Sequence, residues 1–334
     1  METMTNLHIS QHALEQWLYQ MVNSKIEVFA PVHDGEKTDF RLLAFGDKVA
    51  DDYVQTTQSA KRFAFPKAEK LFSYRKEGKD VTLQERDLND FPEIVLWKVR
   101  PCDAAGFAPL TGIFNWDYKD DIYNARRDKI TLVSFSCTRC DEYCFCTSVH
   151  GGPGNTEGSD IQVTELPDRS ALVEILTPKG KSLIERFVQE TTPADGIDKE
   201  TYLASVPVRF KLEQLREKLE GAFDSPIWKQ QSERCLGCGA CAFVCPTCAC
   251  FDIQEDARGS SGSRIRFSLF TQHTSGHNPR PTQSTRWRQR ILHKFSYMPD
   301  RIDETGCTGC GRCSRACPVD MNIVEHLMSI ENHG

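Results

Sequence analysis

The spacing of apolar residues over the first 225 positions alternates between helical and extended periods. Leu14, Trp17, Leu18, Met21 and Val22 recur three and four residues apart behind Ser10, which predicts an amphipathic helix over 10–23 capped by that serine. IEVFAPV (26–32) and DFRLLAF (39–45) predict short strands around the turn signal His33-Asp34-Gly35. IVLWKV (94–99) and ITLVSFS (130–136) are nearly unbroken apolar runs, the pattern of strands buried on both faces. A helix capped by Asp103 and reaching about Phe114 separates them. Two buried strands joined by a helical crossover are most simply parallel neighbours, with their C-terminal ends at one edge of the sheet. ALVEILT (171–177) predicts a further strand, and 180–190 and 208–223 predict helices. Ser225-Pro226 supplies a cap and a first-turn proline for the next helix, so a domain boundary is expected near residue 225. The expectation is an α/β (α+β) domain over 1–225, followed by an α-helical domain over 226–334.

Cysteine spacing decides what the second part does. Cys235, Cys238, Cys241 and Cys245 read Cys-x-x-Cys-x-x-Cys-x-x-x-Cys-Pro, and Cys307, Cys310, Cys313 and Cys317 repeat that spacing, trailing proline included. Three-residue steps let successive thiolates curl around one compact object, which suits a 4Fe-4S cubane. In a two-cluster ferredoxin the fourth cysteine ligates the other cluster. Cys235, Cys238, Cys241 and Cys317 are therefore expected around one cluster, and Cys307, Cys310, Cys313 and Cys245 around the second. Zinc takes its four ligands as two separated pairs, and disulfides need an oxidising compartment, so both alternatives fit the repeat less well. The 61 residues between Cys245 and Cys307 exceed the short link of a small ferredoxin and imply a long insertion.

Five further cysteines converge on the sheet edge. Cys102 follows the first buried strand, while Cys137, Cys140, Cys144 and Cys146 follow the second, at the edge where open α/β sheets place their ligands. One cubane needs four. The preferred set is Cys102, Cys137, Cys144 and Cys146, with Cys140 as a neighbour and alternate ligand. A rival set uses Cys137, Cys140, Cys144 and Cys146, leaving Cys102 an ordinary buried thiol, and a third reading makes Cys137 and Cys140 a thioredoxin-like dithiol. Three clusters in total are expected. Cys248 and Cys250 stand beside the first run as neighbours of its ligands, a redox pair or simple packing.

Composition narrows the remaining classes. The chain has 334 residues, 39% hydrophobic and 26% charged, enough for two domains with real cores. Fifteen cysteines without a secretory leader or an apolar run long enough for a membrane span point to a reducing cytoplasm. A net charge of −6 argues against general nucleic-acid binding. Two local features point the other way: the basic, aromatic stretch 56–75, and residues 256–301, where eight arginines and one lysine face two aspartates and Trp287 lies between Arg286 and Arg288. The first is read as a partly buried loop and short helix with solvated lysines. The second is read as cations that balance thiolate-ligated clusters. HGGPGNTEGSD (150–160) lacks a phosphate-cradling pattern and is read as a covering loop.

With these segments in view, the chain resembles the beta subunit of cytoplasmic NiFe hydrogenases of the sulfhydrogenase type and the related A subunit of anaerobic sulfite reductase. The resemblance runs through APV (30–32), FPKAEKLFSYR (65–75), VRPCDAAGF (99–107), DEYCFC (141–146), CPTCAC (245–250), GHNPRPT (276–282) and CTGCGRCSRACPVD (307–320). It implies an α/β domain with one cluster joined to a helical ferredoxin domain with two. Cys102, Cys137, Cys144 and Cys146 match the extra cluster's motif; Cys140 stands where relatives often carry proline. It further implies a non-catalytic electron-transfer subunit, with no catalytic residues of its own, working between a flavoprotein subunit that handles NAD(P)H and a NiFe hydrogenase catalytic module. The alternatives are the same role beside a sulfite or sulfur reductase catalytic subunit, or a free-standing ferredoxin-like carrier or redox sensor. No nucleic acid or membrane partner is implied.

Overall fold

The computed structural model describes residues 5–250, 252–254, 260–262 and 271–332. In chain order it gives β1 (Thr5–Ile9), α1 (Gln11–Val22), β2 (Glu27–Asp34), β3 (Lys37–Leu42), β4 (Phe72–Glu77), β5 (Asp80–Glu85) and β6 (Ile94–Val99). There follow α2 (Pro101–Ala105), α3 (Phe107–Asn115), α4 (Asp121–Asp128), β7 (Ile130–Phe135), β8 (Ile161–Glu165), β9 (Ala171–Ile175), α5 (Pro178–Phe187) and β10 (Thr192–Pro193). An eight-stranded sheet runs β10-β1-β9-β8-β7-β6-β2-β3. Its centre, β2, β6, β7 and β8, is parallel, and the flanking pairs are antiparallel.

Both central strands are buried along their whole length because each face has its own core. Val95, Trp97, Val133 and Phe135 point to the side covered by α1 and α5, where Trp17, Met21, Leu183 and Ile184 pack. Ile94, Leu96, Ile130 and Leu132 point to the side covered by α3 and α4. Trp17 meets Trp97 edge to face at 4.8 Å, and Trp97 meets Phe135 at 5.2 Å, continuing one aromatic seam under α1. Ser10 Oγ accepts the Ala13 N–H and caps α1 as expected.

The edge that carries chemistry is where β6 and β7 end. At Lys98 the pairing with β7 slips by a bulge, and the residue has φ +62°, a left-handed conformation uncommon outside glycine. The bulge sends the buried Lys98 ammonium to Asp51 and Glu165. Arg100, and not Asp103, occupies the cap position of α2, because Pro101 already fills the first helical turn. That leaves the Asp103 carboxylate for a partner 209 residues away in sequence, Arg312. The single helix expected to Phe114 is broken at Gly106 into α2 and α3, and a third segment, α4, completes the crossover.

The second part contains α6 (Leu212–Glu220), α7 (Ile227–Ser232), α8 (Ala240–Phe243), a small pair β11 (Asp252–Gln254) and β12 (Ser260–Gly262), α9 (Gln283–Leu292), a π-turn over His293–Tyr297, α10 (Met298–Ile302), α11 (Arg312–Arg315) and α12 (Ile323–Asn332). Its core gathers Trp228, Trp287, Phe295, Ile323 and Leu327 with Phe210, Leu215 and Leu219 from α6 and its approach, and with Phe145. The helix expected over 208–223 is confined to 212–220. Residues 56–75 hold the expected partly buried loop and a short helix, with Lys67 and Lys70 exposed, but not every lysine is solvated. Ala60–Phe63 form a 3-10 turn in which Lys61 is buried, and β4 pairs with β5 in a hairpin apart from the main sheet. Among the described residues no helix is long and apolar enough to cross a membrane.

The aromatic seam under α1 gives a direct test of the fold. Trp17 is fully buried, so Trp17→Ala should destabilise the chain by about 3–5 kcal/mol. A urea melt of the variant within about 1 kcal/mol of wild type would show that α1 is not part of the cooperative core.

Candidate metal centres

The two cysteine runs are folded alike. Each reads Cys-x-Gly-Cys-Gly-x-Cys before its last cysteine, and Gly237, Gly239, Gly309 and Gly311 all adopt positive φ, at +72°, +78°, +66° and +70°. Left-handed residues on both sides of the second cysteine turn the chain inward, so that consecutive thiols face one space. The run then enters a single helical turn, α8 or α11.

The thiols line two adjoining cavities. Cys235, Cys238 and Cys241 line the first together with Cys317, which arrives from the second run. Cys307, Cys310 and Cys313 line the other together with Cys245, which arrives from the first run. Cys313 and Arg290 border both. Trp287 from α9 and Ile323 from α12 make the apolar walls of the first cavity, and Phe145 and Ile323 those of the second. Among the described residues no three His, Cys, Asp or Glu side chains form a group fit for a single ion; the thiols ring spaces instead.

The third group collects at the edge where β6 and β7 end. Cys102 lies in the first turn of α2, Cys137 two residues past β7, and Cys146 opens a 3-10 turn to Val149. Burial raises the pKa values of Cys102 and Cys137, and the two lie close enough for their charges to interact. Cys146 is pushed up to about 12, by burial first and then by the nearby Cys137 and Cys144. Cys140 is also near Cys137, but its thiol donates to the Ser205 carbonyl at 3.3 Å. This group abuts the second cavity: Cys102 and Cys146 share a solvent-filled cleft with Cys307, and Phe145 N–H donates to Gly309 O at 3.0 Å. A Cβ on Gly309 would sit 2.4 Å from the backbone of Cys146, and one on Gly311 2.4 Å from Tyr143 O, so neither position admits a side chain without moving the two segments apart.

Donors and cations surround the thiols. Gln283 Nε2 donates to Cys235 Sγ at 2.9 Å, Met321 N–H to Cys317 Sγ at 3.3 Å, and Gln55 Nε2 to Cys102 Sγ at 3.0 Å. Lys294 Nζ reaches Cys245 Sγ at 3.2 Å, and Arg315 reaches Cys144 Sγ at 3.4 Å. Cys248 is buried and shares a hydrogen bond with Cys245; that bond, with Lys294, Arg290 and Lys61 close by, lowers the Cys245 pKa despite its burial. Cys250 lies in the same environment, its pKa raised by burial. Lys61, Arg290 and Lys294 are all buried, and among the described residues none is ion-paired with a carboxylate. Buried cations without carboxylate partners are costly unless a negative charge completes them. Four thiolates around an iron-sulfur core supply such a charge, so the residues present fit 4Fe-4S clusters.

Several of these residues carried no signal in the sequence. Lys61 reads as one of the solvated lysines and Asp103 as a helix cap, and Gln55, Gln283 and Arg312 stand out by no spacing. In the basic stretch 256–301, Arg258, Arg264 and Arg266 lie outside the described residues. Of the remainder, Arg286, Arg290 and Lys294 are buried, and Trp287 is buried with its indole N–H donating to Gln231, so that tryptophan offers no open face to a base.

Paired thiol cavities beside a large mixed sheet define the chain as a protein with a ferredoxin-like 4Fe-4S part at its C-terminal end, and residues 234–321 match the family described as 4Fe-4S dicluster domain. The chain belongs to the family of sulfhydrogenase beta subunits. It is 31% identical over 314 residues to Sulfhydrogenase 2 subunit beta of Pyrococcus furiosus, a match covering 90% of this chain and 91% of that one. No solved structure matches it.

The contact between the two parts is testable. Arg312 is 2% exposed and forms a two-pronged ion pair with Asp103, while its remaining N–H groups go to Thr56 and Gln55. Asp103→Ala leaves that guanidinium buried and unpaired, and should cost about 3–5 kcal/mol in urea unfolding. Removing both charges, in Asp103→Leu with Arg312→Met, should recover most of the loss. Equal losses in the single and double variants would show that the pair adds nothing beyond its packing.

Proposed function

We propose that this chain is the electron-transfer subunit of a cytoplasmic complex, relaying electrons through three 4Fe-4S clusters between an NAD(P)H-linked flavoprotein subunit and a NiFe hydrogenase catalytic module. In this reading residues 1–225 form an α/β domain with one cluster, held by Cys102, Cys137, Cys144 and Cys146. Residues 226–334 form a helical ferredoxin-like domain with two, held by Cys235, Cys238, Cys241 and Cys317, and by Cys307, Cys310, Cys313 and Cys245. The observation that carries the reading is that the three thiol groups adjoin in series. Cys313 borders the first two cavities, and the Gly309–Cys146 contact joins the second to the group at the sheet edge.

Each bound cluster would accept and release one electron at little structural cost. The residues of the chain account for the rest. Lys61, Arg290 and Lys294 offset negative charge near the middle site, the Gln55 and Gln283 amides donate to outer thiols, and Trp287, Phe145 and Ile323 keep water from the sulfurs. Lowering charge repulsion and excluding solvent both shift a cluster's potential, so these side chains set the driving force along the relay.

Iron analysis of the anaerobically purified chain should give about twelve irons, and about eight would reduce the clusters to the ferredoxin pair. Cys102→Ala should lose about four irons and Cys140→Ala none. The reverse result would place Cys140 in the ligand set and Cys102 outside it.

The catalytic partner is identified by purifying the tagged chain anaerobically with whatever accompanies it, then assaying nickel, sirohaem and flavin in one sample. Nickel with flavin is expected. Sirohaem without nickel would move the same relay to sulfite reduction, and a lone 37.9 kDa chain without partners would make it a free carrier or sensor.

A further inference from the structure

A large cavity among the described residues touches none of the fifteen cysteines. It encloses about 560 Å³, within the roughly 300–1,000 Å³ typical of small-molecule sites. It lies between the end of α3, the turn after α6, the GHNPR segment, α9 and α10. Trp116, Phe223 and Tyr297 supply flat apolar walls, and Arg280, Arg288 and Arg301 supply guanidinium groups, while no carboxylate lines it.

The charge in this cavity is organised. Arg288 lies 3.6 Å above the Phe223 ring and Arg301 4.3 Å above Trp116. A guanidinium stacked on a ring is held in orientation, and Arg288 is fixed further by donating from Nη1 to the Phe223 carbonyl at 3.0 Å, which leaves its other N–H groups for a planar or tetrahedral anion. Arg280 and Arg301 form no ion pair among the described residues. The one carboxylate near Arg288, on Asp224, stands 3.9 Å away and is 94% exposed. His293, on the same wall, is driven down to a pKa of about 4, by burial first and then by the nearby cations Lys294, Arg301, Arg280 and Arg290. Trp116 and Phe223 remain about half exposed, a costly placement for two large rings unless something flat covers them.

We propose that this cavity binds a nucleotide, with a planar ring against Trp116, Phe223 and Tyr297 and its phosphate on Arg280, Arg288 and Arg301. Three guanidinium groups, with only the exposed Asp224 at the edge of one of them among the described residues, favour phosphate, the aromatic faces favour a flat heterocycle, and the volume holds both. The site is separate from the thiol cavities but shares a wall with them. Arg288 and Gln289 of α9 face it, while Trp287 and Arg290 on the same helix face the first thiol cavity. A bound ring would therefore lie about one helix diameter, roughly 10–12 Å, from the nearest thiols. The inference does not depend on the electron-relay reading.

The test is calorimetric titration of the anaerobically purified, iron-replete chain with ADP and with FMN, beside adenosine, riboflavin and pyrophosphate. At least one nucleotide should bind, at least tenfold more tightly than its dephosphorylated form. Trp116→Ala and the pair Arg280→Gln with Arg301→Gln should each weaken it at least tenfold with iron content unchanged. Arg301→Gln alone, at an exposed position, gives the same readout should the pair lose iron. Whichever of ADP and FMN binds identifies the ring as purine or flavin. Binding of neither, equal binding of the dephosphorylated forms, or pyrophosphate binding as tightly as the nucleotide with no effect of Trp116→Ala would each overturn the proposal.

Discussion

The buried pairing of Arg312 with Asp103 is the constraint on which the arrangement of the two parts depends. Arg312 sits inside the second cysteine run, between Cys310 and Cys313, and Asp103 follows Cys102 directly. Each is therefore rigidly tied to a thiol, so the geometry of the ion pair fixes how the sheet edge meets the ferredoxin run. A buried pair is weak as a source of stability, since desolvation offsets most of its attraction, but it punishes every misaligned docking by leaving a bare charge. Arg315 repeats the device nearby by gripping Asp141, three residues before Cys144. Two arginines of one run thus hold the two loops that carry the third thiol group. Gly309 and Gly311 complete the contact by admitting the 143–146 backbone where any side chain would block it.

A second electrostatic theme runs the opposite way. The chain is acidic overall, at −6, yet three of its buried cations, Lys61, Arg290 and Lys294, gather around Cys245 and Cys248 with no carboxylate among the described residues to pair with them. Asp103 and Asp141 neutralise Arg312 and Arg315 at the outer group, so the middle of the array carries the larger uncompensated positive charge. Electrons entering a medium of low dielectric are stabilised where such charge is concentrated. The uneven placement of acids therefore grades the array, and composition alone would not reveal it.

Much of the fold was legible because the relevant patterns are short and local. Ile94–Val99 and Ile130–Phe135 read as doubly buried parallel strands, and the sheet confirms both the burial and the pairing. β1 and β8 escaped notice: TNLHI and IQVTE are five residues each, too short to show a period, and take strand form by pairing with β9 between them and with β10 and β7 on their outer sides. The approach to Phe210 read as helix because its apolar spacing continues that of α6, but Val208 is exposed and only Phe210 joins the core before the helix begins at Leu212. Eight of the fifteen cysteines were assigned places by spacing, and a preferred set of four more by the convergence of two strand ends. The residues that serve them were not, because Gln55 and Gln283 reach thiols, and Lys61 the Cys248 carbonyl, across tens to hundreds of positions, and no local period encodes such a contact.

Helix α9 shows why charge runs are poor guides when read in one dimension. Its sequence, QSTRWRQRIL, looks like an exposed basic face interrupted by one tryptophan. In space the three arginines part company. Arg286 turns back to close the 280–283 segment, Arg290 enters the wall between the two thiol cavities, and Arg288 stacks on Phe223 at the mouth of the large cavity. Consecutive even positions on a helix are about 200° apart, so alternation in sequence disperses charge around the axis instead of pooling it. One ten-residue helix thereby serves three surroundings, and Trp287, buried between two of its arginines, anchors it against α7 through Gln231. Moving the register by a single residue would put an arginine in that tryptophan's place and take a cation away from the thiols, so the helix tolerates almost no slip.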